Sequence, residues 1–186
     1  MAHVVLFHSM LGLRPVEHLA AERLSRAGHH VTMPDLYGGR TAATMNEGYA
    51  LMSAVGWPAI TQRARDRLHT VPTDAVLMGV SMGVGVVGAI WPERPLAAAV
   101  VLLHALAAMP ASVEPGLRLQ VHAGEADDFA PPAEIAMLRA AATEAGVAAE
   151  VFTYPGVGHF YTDASQPEHD ARAADLTWTR ILDFLV

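Results

Sequence analysis

The chain contains no cysteine. That excludes a disulfide framework and any thiolate metal site, and it fits a reducing, cytoplasmic setting. Positive charge is also scarce. Twelve basic residues, all arginine, stand against 19 acids, giving a net charge of −7. No basic cluster is present, so a nucleic-acid-binding surface is not expected. Charged residues make up only 17% of a chain that is 52% hydrophobic. That is too apolar for disorder and suits a sheet buried on both faces. A membrane span is nevertheless not expected. The uncharged stretch from Ala75 to Trp91 is interrupted by four glycines and falls just short of the roughly 18 residues a span requires. Leu96 to Met109 is shorter still and contains His104. The segment Met1 to His8 lacks a basic n-region and a cleavage site, and reads as a first strand instead of a signal peptide. The ten histidines are scattered, with no His-Glu-x-x-His or comparable ligand spacing, so no metal site is expected.

Against these absences one stretch stands out, Ala75-Val76-Leu77-Met78-Gly79-Val80-Ser81-Met82-Gly83. An apolar run ends in Gly-x-Ser-x-Gly, and a helix-compatible run follows from Val84 to Trp91. A turn this tight between strand and helix forces the central serine into a strained backbone conformation. Its hydroxyl is then held clear of the sheet, beside a helix N-terminus. Gly79 and Gly83 are needed because a Cβ at either position would crowd the strand and helix that meet there. A serine alone is a poor nucleophile; it needs a base, and the base needs an orienting acid. On this type of fold the partners follow in the order Ser, Asp or Glu, His, each past a later strand. The strand-like Leu117 to Ala123 runs into Gly124-Glu125-Ala126-Asp127-Asp128. The strand-like Ala149 to Tyr154 is followed by Pro155-Gly156-Val157-Gly158-His159. Ser81 and His159 are thus the expected nucleophile and base. Spacing alone leaves Asp127 and Asp128 both open as the acid. The oxyanion of the reaction needs two backbone N–H donors, expected from Met82 and, in the loop after the first strand, Met10.

In chain order, strands are expected at Ala2–His8, His29–Met33, Asp74–Val80, Ala97–Leu103, Leu117–Ala123 and Ala149–Tyr154. Helices are expected at Arg14–Ala27, with Val16, Leu19, Ala20, Arg23 and Leu24 at helical spacing, and over Thr44–His69, broken near Gly56-Trp57-Pro58. Two more fit Pro132–Ala145 and His169–Leu185. Six apolar strands alternating with helices imply an α/β protein: a doubly wound, mostly parallel six-stranded sheet of order 2-1-3-4-5-6 with helices on both faces. The 186 residues suffice for one domain, residues 1–186, with no linker or internal repeat. In such a sheet the ligand site lies beyond the strand C-termini where strand order reverses, which brings the His8–Leu13 loop opposite Ser81. A Gly-x-Gly-x-x-Gly at Gly83 to Gly88 imitates a dinucleotide fingerprint. It overlaps the serine turn, however, and the next strand ends at Leu103-His104 with no acid for a ribose, so nucleotide binding is not expected.

Several strings together carry a family resemblance. They are Val4 to Leu13, Pro34-Asp35-Leu36-Tyr37, Gly79-Val80-Ser81-Met82-Gly83, Gly124 through Pro131, and Tyr154-Pro155-Gly156-Val157-Gly158-His159-Phe160. Their order over nearly the whole chain resembles the dienelactone hydrolase family of the α/β-hydrolase superfamily. The resemblance implies a compact hydrolase core without a large lid, a nucleophile–Asp–His triad and no cofactor. It places the acid at Asp127, by the spacing Gly124-x-x-Asp127 with Pro131 four residues on. Two departures matter. The best-known members carry cysteine where this chain has Ser81, which favours a general esterase. They also hold a substrate carboxylate with two arginines. Arg40 could take the first place, one residue displaced. The second place falls in Phe160-Tyr161-Thr162-Asp163, which has no arginine and argues against a dienelactone substrate.

The expected function is that of a serine hydrolase cleaving small carboxylic esters or lactones through a seryl ester. Arg40, Tyr37, Trp57, Phe129, Phe160 and Tyr161 are candidates for the pocket wall, while His8 and His104 read as structural histidines at strand ends. The partner is a small-molecule ester or lactone, and the short chain suggests an open site and short acyl groups. A histidine base acts only when neutral, so activity is expected to fall toward acid pH. A non-catalytic binding protein on the same fold and an acyltransferase are the competing readings.

Overall fold

The computed structural model describes residues 1–186. The elements are β1 (His3–Phe7), α1 (Pro15–Arg26), β2 (His30–Thr32), α2 (Met45–Val55), α3 (Trp57–Leu68), β3 (Val76–Val80), α4 (Met82–Ile90), β4 (Ala99–Leu103), β5 (Arg118–Gly124), α5 (Pro132–Glu144), β6 (Ala148–Tyr154) and α6 (Ala171–Phe184). One 3-10 turn, Trp91–Glu93, closes α4. The six strands form one sheet of order β2-β1-β3-β4-β5-β6, parallel at every pairing. Phe7 pairs with Gly79 and Val80 with Leu103, so β1, β3 and β4 end at a common edge.

The apolar strand runs exist because both faces are covered. Val5, Phe7, Leu77, Val100 and Leu102 point into a core shared with Ile60 and Ala64 of α3, Val84 and Val87 of α4, and Ile135 and Leu138 of α5. The alternate residues Val4, Leu6, Val76, Met78, Val101 and Leu103 point the other way, against Ala20 and Leu24 of α1 and Trp178, Ile181 and Phe184 of α6. This is the two-residue period of a strand read on two buried faces.

Element ends differ from the sequence expectation by one or two residues. The Thr44–His69 helix is broken where the sequence places the break, into α2 and α3. Gly56 takes φ +84 between them, and Pro58 then sits in the first turn of α3, where its missing N–H costs nothing. Thr44 and Glu47 cap α2 reciprocally. On α1 the expected apolar face is corrected. Leu19 is exposed, whereas Glu17 is buried with Ala20, Ala21 and Leu24.

His8, His104 and His122 have no exposed surface. On β5, His122 bonds the Tyr154 hydroxyl through Nδ1 and the side-chain Oε1 of Gln120 through Nε2, each at 2.8 Å. Burial, reinforced by the Arg180 charge, lowers its pKa from 6.5 to about 3. Burial also lowers His8 and, more strongly, His104. A histidine depressed in the folded state contributes stability that is complete above its unfolded pKa. That stability is lost as pH falls toward the folded value. For His122 alone, two pH units below its unfolded pKa correspond to about 3 kcal/mol. The urea midpoint is therefore expected to drop markedly between pH 7.5 and about pH 4.5. His122→Gln should be less stable at pH 7.5 but show a smaller drop. An equal drop in both proteins would mean that His122 does not carry the effect.

Candidate active site

The site is built on the ends of β1, β3, β5 and β6. β3 delivers Ser81 into a turn with φ 52 and ψ −114. For a residue with a side chain this backbone geometry costs on the order of 1–3 kcal/mol, and the surroundings hold it there. The Ser81 N–H donates to the Leu103 carbonyl, and Val84 N–H donates back to the Ser81 carbonyl, each at 2.8 Å. The glycines are required sterically. A Cβ at Gly79 would lie 2.5 Å from the Gly83 oxygen, and one at Gly83 would run into the Phe7 carbonyl across the β1–α4 contact.

Ser81 Oγ lies 2.7 Å from His159 Nε2. His159 Nδ1 lies 2.8 Å from Asp127 Oδ2. The other carboxylate oxygen of Asp127 accepts the Phe129 N–H at 2.9 Å. With the imidazole proton on Nδ1 facing the carboxylate, Nε2 is the free acceptor for the serine hydroxyl. All three residues are buried. Asp128, which spacing left as an alternative, is exposed, so the geometry brings Asp127 and not Asp128 to the histidine. The Ala126 N–H donates to the Val157 carbonyl at 3.1 Å, tying the acid loop to the histidine loop.

The histidine loop is braced further on. Phe160 N–H donates to Glu168 at 2.7 Å, and Asp163 forms a buried ion pair with Arg14. Burial opposes charge on Asp163, but its bonds to Ser165 and Arg14 outweigh that and hold its pKa below the usual carboxylate value. His104 follows β4 with φ +65. Its Nε2 bonds Thr162 Oγ1 at 2.7 Å and its ring packs edge-on against His159. Burial and the neighbouring His159 push its pKa well down. A neutral His104 with its proton on Nε2 leaves Nδ1, which has no partner, as a bare lone pair instead of a stranded N–H.

The loop after β1 presents a free donor at Met10. Ser9 N–H and Oγ both point to Glu17 Oε1, at 3.4 and 3.1 Å. Leu11 N–H donates to Ser9 Oγ at 3.3 Å. Between them the Met10 N–H has no acceptor in the protein. His8 fixes the strand end, its Nδ1 donating to the Ser9 carbonyl at 2.7 Å while Nε2 accepts the Leu36 N–H at 3.0 Å. Met82 is the first residue of α4, and its N–H has no partner within the helix. Sequence reasoning missed Glu17 as a brace. The available signal was its place three residues after Arg14, since Glu17 Oε2 accepts the Arg14 N–H at 2.9 Å in the capping arrangement of α1. Burial raises the Glu17 pKa, with Arg14 and Ser9 opposing the rise.

Ser81 opens into a cleft of about 410 Å³. Met10, Met52 and Met82 line it, with Tyr49, Trp57 and Phe129 as aromatic neighbours. Gly85, Ala105 and Leu106 complete the wall. Of the residues expected there, Trp57 and Phe129 are present. The other four are placed elsewhere, and this corrects the expectation. Tyr37 is fully buried, and its hydroxyl, raised to about 12 by burial, donates to Met82 Sδ at 3.0 Å. Phe160 is buried against Met10, Leu11 and Ala42. Tyr161 is buried with its hydroxyl 2.7 Å from Thr177 Oγ1. Arg40 is exposed and donates to the Tyr37 carbonyl at 3.2 Å. The structure holds no group of three or more His, Asp or Glu side chains that could bind a metal, and no helix long and apolar enough to cross a membrane.

A model of the dienelactone hydrolase family matches residues 1–186. No curated protein matches the sequence. Among solved structures, a dienelactone hydrolase-like promiscuous phosphotriesterase from metagenomic libraries superposes with a TM-score of 0.77 at 18% identity, covering 100% of this chain and 86% of that one. A chain of the metagenome-derived lipolytic enzymes LipS and LipT gives 0.69 at 18% identity, covering 99% and 93%. The thioesterase domain from the curacin biosynthetic pathway gives 0.66 at 15% identity, covering 97% and 90%. At these identities the likeness is one of fold, that of the α/β-hydrolases.

Proposed function

This chain belongs to the dienelactone hydrolase family, and we propose that it is a serine hydrolase that cleaves small carboxylic esters or lactones through a seryl-ester intermediate. The observation that carries the reading is the unbroken hydrogen-bond chain from Ser81 through His159 to Asp127 at the mouth of an apolar cleft. Ser81 Oγ attacks the ester carbonyl as His159 Nε2 takes its proton. The tetrahedral oxyanion is held by the Met10 and Met82 N–H groups. Collapse expels the alcohol, which receives the proton from His159, and leaves the acyl group on Ser81 Oγ. Water then repeats the sequence and releases the acid. Asp127 keeps the imidazole proton on Nδ1 and stabilises the imidazolium. Each oxyanion donor is worth about 2.7–4 kcal/mol of barrier. The bracing of the Met10 loop by Glu17 and His8 supports its part, because a donor fixed before reaction needs no reorganisation during it.

Hydrolysis of p-nitrophenyl acetate and butyrate tests the reading. Equal molar release of p-nitrophenolate and carboxylate is expected. Absence of turnover by the folded protein with either ester would contradict it, and transfer of the acyl group to an added alcohol in preference to water would point to an acyltransferase.

A further inference from the structure

We infer that the cleft beside Ser81 selects an uncharged aryl ester and discriminates against esters that carry a carboxylate. This rests on the hydrolase reading and concerns its substrate. The first observation is what the wall lacks. No Asp, Glu, Lys, Arg or His is among the residues lining the cleft. None of the neighbouring arginines is among the lining residues. Arg40 Nε bonds the Tyr37 carbonyl, Arg63 Nη1 bonds the Leu36 carbonyl at 2.7 Å, and Arg14 pairs with Asp163. With the Met10 and Met82 N–H groups given to the reacting carbonyl, a second carboxylate in the cleft would lose hydration and find no cationic side chain among the lining residues.

The second observation is what the wall contains. Three thioethers, Met10, Met52 and Met82, face three partly exposed rings, Tyr49, Trp57 and Phe129. Thioethers and ring edges are favourable neighbours for an aromatic guest. The floor is shaped for one. Gly85, in the first turn of α4, lines the same cleft as Ser81, and a Cβ there would lie 3.2 Å from the Trp57 ring atom Cη2. Glycine lets the indole settle one helical turn from the nucleophile. Phe129 packs beside the triad, its ring centre 4.6 Å from that of His159. A flat ring entering the cleft meets mostly apolar and aromatic surface.

The test compares phenyl acetate with 4-acetoxybenzoate, the same ester with a para carboxylate. Each kcat/KM is divided by that ester's rate of alkaline hydrolysis. The assay contains about 0.5 M salt, so that repulsion by the protein's net charge is screened. The wild type is expected to favour the neutral ester by at least about tenfold. Met52→Arg, which puts a guanidinium on the wall, should narrow that ratio. Trp57→Ala should raise KM for phenyl acetate by about tenfold, and by clearly more than it raises KM for methyl acetate. If the wild type hydrolyses p-nitrophenyl acetate but treats the pair alike, or prefers the carboxylate, the inference is overturned and the hydrolase reading stands. If the folded protein hydrolyses none of these esters, the hydrolase reading fails and the inference fails with it.

Discussion

Ser81→Ala is expected to lower kcat/KM for p-nitrophenyl acetate by between roughly a thousand-fold and a million-fold, with an unchanged circular dichroism spectrum. The size of the loss follows from the mechanism. Without Oγ no acyl intermediate forms, and only direct attack of water, assisted by His159 and the Met10 and Met82 donors, remains. The fold should survive. Alanine keeps the Cβ and makes no new demand on the backbone at φ 52. The substitution removes a single hydrogen bond to His159, worth about 1 kcal/mol net. Equal turnover by the two proteins would remove Ser81 from the reaction and the proposed chemistry with it.

Asp127→Asn is expected to lower kcat by about 10⁴-fold, while Asp128→Asn leaves it within about twofold. The asparagine is nearly isosteric, but its amide cannot satisfy both neighbours. Asp127 accepts from His159 Nδ1 on one oxygen and from the Phe129 N–H on the other. If the new NH2 faces His159, the imidazole proton moves to Nε2 and the serine hydroxyl loses its acceptor. If the NH2 faces Phe129, two donors meet and one is left buried without a partner. Asp128 is exposed and no neighbour depends on it. Kinetics of the two variants with one ester separate them. A loss confined to Asp128→Asn would reverse the assignment.

Much of this arrangement is legible in the chain because it is local. A strand buried on both faces must be apolar along its length, and Val4 to Phe7 or Ala99 to Leu103 can be read on that ground alone. The serine turn is local at Gly79, where a Cβ would meet Gly83 and Val84, whereas Gly83 is demanded by Phe7 and His8 at the end of β1. The order of Asp127 and His159 past successive strands follows from the parallel topology. What is not legible depends on where distant segments come to rest. Tyr49 and Met52 on α2 and Leu106 after β4 reach the cleft from separate elements, and nothing in their own neighbourhoods marks them. Tyr37 and Tyr161 are aromatic and close in sequence to the site, yet both turn inward, because each hydroxyl finds a buried partner, Met82 Sδ and Thr177 Oγ1. Glu17 has the look of a solvent-facing residue on an amphipathic helix. Its burial is explained by three donors, the Ser9 N–H and hydroxyl and the Arg14 N–H, that only the folded loop supplies.

The most direct measurement is covalent labelling by a fluorophosphonate, followed by mass spectrometry of the intact protein and of its peptides. Such a reagent reports the activated hydroxyl itself, whatever the natural ester. One phosphonyl group per chain is expected, on the peptide containing Ser81, with labelling slowed strongly in His159→Ala. A folded protein that takes up no label, or takes it at a residue other than Ser81, would contradict the account.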